Sequence, residues 1–168
     1  MQGRNGMKAP VEIDSVDRKI LVALQKDARM SYQAIAERLR ISTGTVHNRI
    51  KKLTEQGVLG EPKANIQIEA LGHRLHAFIG VTLKEASKME TVQRKLTAIP
   101  QVLESYYTTG EFSLICKLVV RETSELYAIL TERIQRIAEI QSTYTYVVLE
   151  TLLHRELSLD KIETSSQE

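Results

Sequence analysis

Cysteine is almost missing from this 168-residue chain, where Cys116 stands alone. One thiol builds neither an intrachain disulfide framework nor a multi-cysteine metal site. Set in an apolar strand-like run, it reads as an inert core thiol. Long hydrophobic runs are absent too: none approaches the ~18 residues of a membrane span. The opening MQGRNGMKAP has no apolar stretch of the signal-peptide kind, so the cytoplasm is the expected location and no membrane partner is expected. There is no Gly/Ser-rich tether. No glycine-rich phosphate loop, nucleophile elbow or His-Glu-x-x-His pattern occurs. The four histidines are His47, His73, His76 and His154. His73 and His76 lie close in sequence, but nothing nearby completes a ligand set. The expectation is therefore no metal, no cofactor and no enzymatic activity.

What is present is an ordinary globular composition, 42% apolar and 26% charged. The net charge of +2 hides an asymmetry. Residues 1–60 carry 11 Lys/Arg against 6 Asp/Glu, a net +5, whereas residues 61–168 carry 12 against 15, a net −3. Two domains with different partners are implied, the basic one suited to nucleic acid.

The basic part predicts three short helices. The first opens on Asp14 as N-cap, with Asp17 in the capping-box position, and carries Val16, Ile20, Leu21 and Leu24 on one face. The second starts after Ser31 and carries Ile35, Ala36 and Leu39. The third starts after Ser42, buries Val46, Ile50 and Leu53, and stops at Gly57. The short break between the second and third is the spacing of a helix-turn-helix. Outside its core positions the third helix presents Thr43, Thr45, His47, Asn48, Arg49, Lys51 and Lys52, and no acidic residue occurs from Arg38 to Thr54. Hydroxyls, an amide and cations suit phosphates and base edges. The expected DNA contacts are Ser42, Thr43, Thr45, His47, Asn48, Arg49 and Lys52, with Asn48 and Arg49 reading bases and Lys52 on phosphate.

Past a connector over 61–73, where Ala64, Ile66 and Ile68 alternate as in a hinge strand, the pattern changes. Leu75, Ala77, Ile79, Val81 and Leu83 alternate with His76, Phe78, Gly80 and Thr82. A helix carrying Met89, Val92, Leu96 and Ile99 follows, then a hairpin of VLESYYTT and FSLICKLVV around Gly110 and Glu111. A helix capped by Thr123 or Ser124 and the strand STYTYVVLET complete β-α-β-β-α-β. That order is the ferredoxin-like arrangement, with both helices on one face of an antiparallel sheet. The other face stays bare and apolar, which predicts at least a homodimer. The fold class is thus α+β: a (winged) helix-turn-helix domain over 1–60, the connector, a regulatory domain over 74–156 and a polar tail over 157–168.

These residues resemble the Lrp/AsnC, or feast/famine, transcription regulators of prokaryotes, of archaeal type. The features carrying the resemblance are Asp-x-x-Asp-x-x-Ile-Leu, Asp-Ala-Arg before the second helix, Ser-x-x-Thr-Val-x-x-Arg-Ile in the third, the Gly-Val-Leu exit, and the TTGEFSLI and TYTYVVLE segments. The resemblance spans about residues 12–153 and implies an amino-acid-sensing second domain. It further implies dimers assembled into tetramers or octamers, with effectors bound between dimers. By resemblance the effector site consists of Gly110, Glu111, Phe112, Ser113, Thr143 and Thr145. Ser113 stands where the family commonly carries an acid, which favours an uncharged polar effector such as glutamine. Each of these residues also has a plain structural reading, Glu111 as a turn residue and the threonines as strand formers. Two alternatives to an effector-responsive regulator stay open. One is an enzyme, since relatives of this architecture act as tetrapyrrole (sirohaem) decarboxylases; the other is a DNA-architectural protein that senses nothing.

Overall fold

The computed structural model describes residues 9–160, so residues 161–168, which form most of the expected polar tail, lie outside the described residues. The chain divides into two compact units, one running up to Ala64 and resuming at Arg155, the other Asn65–His154.

Helices α1 (Ser15–Lys26), α2 (Tyr32–Leu39) and α3 (Thr43–Glu55) form the first unit. Each begins where a short polar side chain satisfies open N–H groups. Asp14 accepts from the N–H groups of Val16 and Asp17, both at 2.8 Å, and Asp17 accepts the Asp14 N–H in return. Ser31 and Ser42 accept from Ala34 and Thr45 at 3.1 and 3.0 Å. α2 ends on Arg40, whose left-handed φ of 56° turns the chain sharply toward α3, and α3 ends at Gly57, φ 73°. Ile20, Ala23, Ile35, Ala36, Val46 and Ile50 interlock at the centre, drawn from all three helices.

The second unit is a four-stranded antiparallel sheet of β1 (Leu75–Leu83), β2 (Val102–Tyr107), β3 (Leu114–Val120) and β4 (Ile140–Val147), in the order β2-β3-β1-β4. Between β1 and β2 comes α4 (Met89–Thr97); between β3 and β4 comes α5 (Thr123–Ala128), which runs on as a π-helical stretch over Ile129–Ile134. Register pairs Ala77 with Leu118, Ile79 with Cys116 and Val81 with Leu114, so these side chains share one face. That face packs against Val92 and Leu96 of α4 and Leu126, Ile129 and Ile134 from α5 and its extension. Cys116 is fully buried here, and burial pushes its thiol above the ordinary range. The opposite face carries His76, Phe78, Gly80, Lys117, Tyr144 and Tyr146, and neither α4 nor α5 packs on it. The short 3₁₀ helix Ile68–Leu71 meets His76 there through Glu69, and residues 65–69 and 150–154 line a cavity with Phe78, Lys117 and the buried Val119.

Two local expectations are corrected. The alternating stretch 64–68 forms no strand: it ends in a 3₁₀ turn, Ile68–Leu71, and Ile66 is 63% exposed. Alternation makes a strand only where the stretch pairs with an edge, and neither edge strand, β2 or β4, recruits it. At α5 the N-cap is Glu122 and makes no side-chain cap bond, while Ser124 donates its hydroxyl to the Glu122 carboxylate instead.

Candidate DNA-binding face and candidate effector site

Burial of Val46, Ile50 and Leu53 fixes the rotation of α3. The 3.6-residue period then sets Thr45, Asn48 and Lys52 along one outward flank and His47 and Lys51 along the other. Asn48, Lys52, His47, Lys51 and Thr43 are exposed. His47 also meets Tyr32, at the start of α2, edge-on with centroids 6.0 Å apart. Ser42 and Thr45 share a hydrogen bond at 2.8 Å, so Ser42 both caps the helix and orients its neighbour. Glu55 is the first carboxylate after Arg38–Thr54, at the far end of the helix and 3.9 Å from Lys51.

Arg49 departs from the expected set. It lies beside the buried stripe, and its Nη1 donates to Asp14 Oδ2 at 2.5 Å and to Asp17 Oδ1 at 2.8 Å. Asp17 is 2% exposed, and the Arg49 side chain keeps 30% of its surface. The Asp17 N–H bond and the guanidinium hold the Asp14 carboxyl below its ordinary range. Asp14 and Asp17 in turn raise the guanidinium further. In this structure Arg49 serves as a clamp from α3 onto the capping box of α1, a role beyond the base contact expected of it. Its signal in the sequence was its place next to the core stripe, between Val46 and Ile50.

The second group of candidates divides across the sheet. Residues 108–113 form the turn between β2 and β3, with Gly110 at φ 124° and Gly110 and Glu111 exposed. The Thr108 hydroxyl donates to the Phe112 C=O at 2.7 Å, and the Ser113 N–H donates to the Val81 C=O at 2.9 Å. The Ser113 hydroxyl accepts the Leu83 N–H at 3.4 Å. In β1, Leu83 points its N–H the same way as Val81, toward β3, at a level where β3 has already turned away. Ser113 thus supplies an acceptor to a strand-end donor, a job an acid at that position could also do. Phe112 lies on the open face against Tyr144, centroids 5.5 Å apart.

Thr143 and Thr145 pair with Val81 and Ile79, both core residues, so they face the helix-covered side. Gln135 donates to the Thr143 hydroxyl at 3.4 Å. Within one protomer the turn and the two threonines lie on opposite sides of β1, and neither of two cavities, of about 620 and 860 Å³, is lined by any of the six. Elsewhere on the open face Tyr106 donates to Glu104, and Lys117 reaches the same carboxylate at 3.2 Å. The Tyr106 hydroxyl first, then Lys117, keep Glu104 below the usual carboxylate range. His76 lies 3.2 Å from Glu69, and no cluster of three or more potential metal ligands occurs among the described residues.

The sequence reading missed one feature of the first unit. Gln25 uses both ends of its amide on the returning chain, donating to the Leu157 C=O at 2.8 Å and accepting the Leu159 N–H at 3.1 Å. Arg18 donates to the Leu159 C=O at 3.2 Å, and Lys26 pairs with Asp160 at 3.0 Å. A polar tail gives little local signal of such a clasp, because three of these four contacts are to backbone.

Comparison with known proteins covers both units. Residues 13–59 match the winged helix-turn-helix DNA-binding family, and residues 76–157 match the Lrp/AsnC ligand binding domain. The chain is 39% identical over 145 residues to the regulatory protein AsnC of Haemophilus influenzae, covering 86% of this chain and 97% of that one. It is 34% identical over 144 residues to the HTH-type transcriptional regulator FL11 of Pyrococcus furiosus, covering 86% and 93%. The structure of E. coli AsnC is similar with a TM-score of 0.85 at 35% identity, covering 88% of this chain and 99% of that one.

Proposed function

The chain belongs to the Lrp/AsnC family of transcriptional regulators, and from that premise we propose that it binds specific operators through α3 and changes its assembly on them when a small amino acid binds. The observation that carries the DNA contact is the outward, carboxylate-free flank of Thr45, Asn48 and Lys52, with exposed Thr43 and His47 toward the other flank. Asn48 presents a donor and an acceptor to a base edge, as asparagine does to adenine. Lys52 is a point charge for phosphate. Relatives are named as regulators, which favours this reading over a tetrapyrrole decarboxylase.

The effector reading draws on two features. The turn offers backbone N–H groups for a carboxylate, and exposed Glu111 offers an acceptor for an ammonium or amide. Thr143 and Thr145 lie on the edge strand β4, open to a neighbouring copy. Because β1 separates them from their own turn, the turn of one copy meeting β4 of another is the arrangement favoured. An uncharged polar amino acid such as glutamine suits a site whose acid is reduced to Glu111. Such a ligand shifts assembly only by its differential affinity, about 1–3 kcal/mol of coupling. The exposed aromatic side chains of the open face support a homodimer as the unit of this assembly.

The test is footprinting on the chain's own promoter region, with calorimetry against the twenty amino acids in parallel. Protected half-sites that shift spacing with one amino acid are expected. Protection that no amino acid alters, with no heat from any, would move the protein to the architectural class. Absence of any preferred site would remove the regulator reading as well.

A further inference from the structure

Gly80 sits in the middle of β1, a place where glycine weakens a strand and marks a close approach by another group. The approaching group is the Phe112 ring. A Cβ at Gly80 would lie 2.7 Å from Phe112 Cγ and Cδ2 and 2.8 Å from Cδ1. These atoms are the root of the ring and not its far end, so no small rotation relieves the contact. Tyr144, the residue paired with Gly80 across β1 and β4, packs against the same ring. The main chain around Phe112 is fixed as well, by the Thr108 hydroxyl on its C=O and by the Ser113 N–H on Val81. From this anchored base Thr109, Gly110 and Glu111 project as exposed residues.

We propose that Gly80 is a positioning residue of the effector site: the absent side chain is the seat of Phe112, and the seat fixes the height of the 110–111 turn that meets the ligand. The inference rests on the effector reading above and refines it. Phe112 and Ser113 are anchors of the turn, and Glu111 with the turn N–H groups makes the contacts to the amino acid. A seated turn holds its N–H groups in place before the ligand arrives, which lowers the ordering cost of binding.

Gly80→Ala, Phe112→Leu and the double variant are titrated with the twenty amino acids by calorimetry, with effector-free DNA affinity measured beside. Gly80→Ala is expected to weaken the ligand about tenfold, beyond any change in its effector-free DNA affinity, which reports the open face's own part in assembly. In the Phe112→Leu background, where the planar ring is gone, the same step is expected to cost about threefold or less. Equal losses in both backgrounds, or wild-type affinity in Gly80→Ala, would overturn the seat. If the wild-type chain binds none of the twenty, the effector reading fails by itself, and hydrogen exchange still reads the seat. Amides 108–113 should exchange faster in Gly80→Ala than in wild type, with α1–α3 unchanged; unaltered exchange at 108–113 would overturn the proposal. Should Gly80→Ala not fold, Phe112→Leu, which empties the seat, is expected to show the same faster exchange, and its absence counts equally against the seat.

Discussion

Asn48 and Arg49 are neighbours on α3 with opposite fates. Asn48 faces outward, whereas Arg49 is tied to Asp14 and Asp17, its partners 35 and 32 residues away. Arg49→Ala leaves the buried Asp17 carboxylate without its cation, a loss of about 2 kcal/mol in folding stability. Asn48→Ala should leave stability unchanged and cost ~1–3 kcal/mol at a cognate site. Urea unfolding and gel-shift titration of the two variants separate the roles; an Arg49→Ala variant of full stability and altered base preference would restore the groove reading. The clamp also sets a pH dependence. A carboxyl whose folded-state pKa is lowered contributes stability that is full above its ordinary value of 3.8 and disappears as pH falls through the lower folded value. The urea midpoint of wild type should therefore exceed that of Asp14→Asn at neutral pH, and the gap should close only below about pH 4. The capping box was legible in the sequence because Asp14 and Asp17 are three residues apart and their partners are local backbone. The ion pair was not, because helical periodicity says which residues flank a buried stripe but not what awaits them across it.

At the scale of elements, the most legible features were those built from neighbours in sequence. Ser31 and Ser42 cap their helices, and the alternation over 75–83 sorts core from open face residue by residue. The 64–68 stretch shows the limit, since identical alternation that neither sheet edge recruits forms no strand. The clasp on α1 shows another, since Gln25 binds the backbone of Leu157 and Leu159 and so leaves no complementary side-chain pattern to find. Its two amide bonds imitate a pair of strand bonds, and they join residues more than 130 positions apart within one unit. Gln25→Ala should lower folding stability by about 1 kcal/mol, the net worth of exposed hydrogen bonds of this kind. Removing the chain from Arg155 onward should do the same or more, and the two changes together should cost no more than the removal alone. Thermal melts of the full chain and the three variants measure this; additive losses would show that Gln25 acts on something other than the returning segment.

For the whole molecule, the order β-α-β-β-α-β was enough to leave one sheet face clear of α4 and α5; residues 65–69 and 150–154 line part of it, and aromatic side chains stay exposed on the rest. Phe78, Tyr106, Tyr144 and Tyr146 all keep more than a third of their surface in the single chain, around the Glu104–Lys117 pair. Aromatic side chains are costly to leave in water and gain most when a second apolar surface meets them. An isologous pairing of this face would join two helix-turn-helix units, and linking two half-sites raises operator affinity far beyond that of one unit. Tyr146→Lys tests the chain of reasoning from one position. Tyr146 pairs with Phe78, which pairs with Lys117 on the next strand, so a new cation there adds charge to an aromatic patch that already holds one two strands away. Half exposed already, the position tolerates a long polar side chain within one copy. The variant should therefore fold normally, sediment as a smaller species, bind a two-half-site operator about a hundredfold or more weakly, and bind a single half-site as wild type does. Lys52→Ala should show the converse: unchanged sedimentation, weaker binding to every sequence, and a salt slope shallower by about one unit. Should Tyr146→Lys sediment as wild type does, the open face is not where copies meet, and assembly belongs to another surface of the chain.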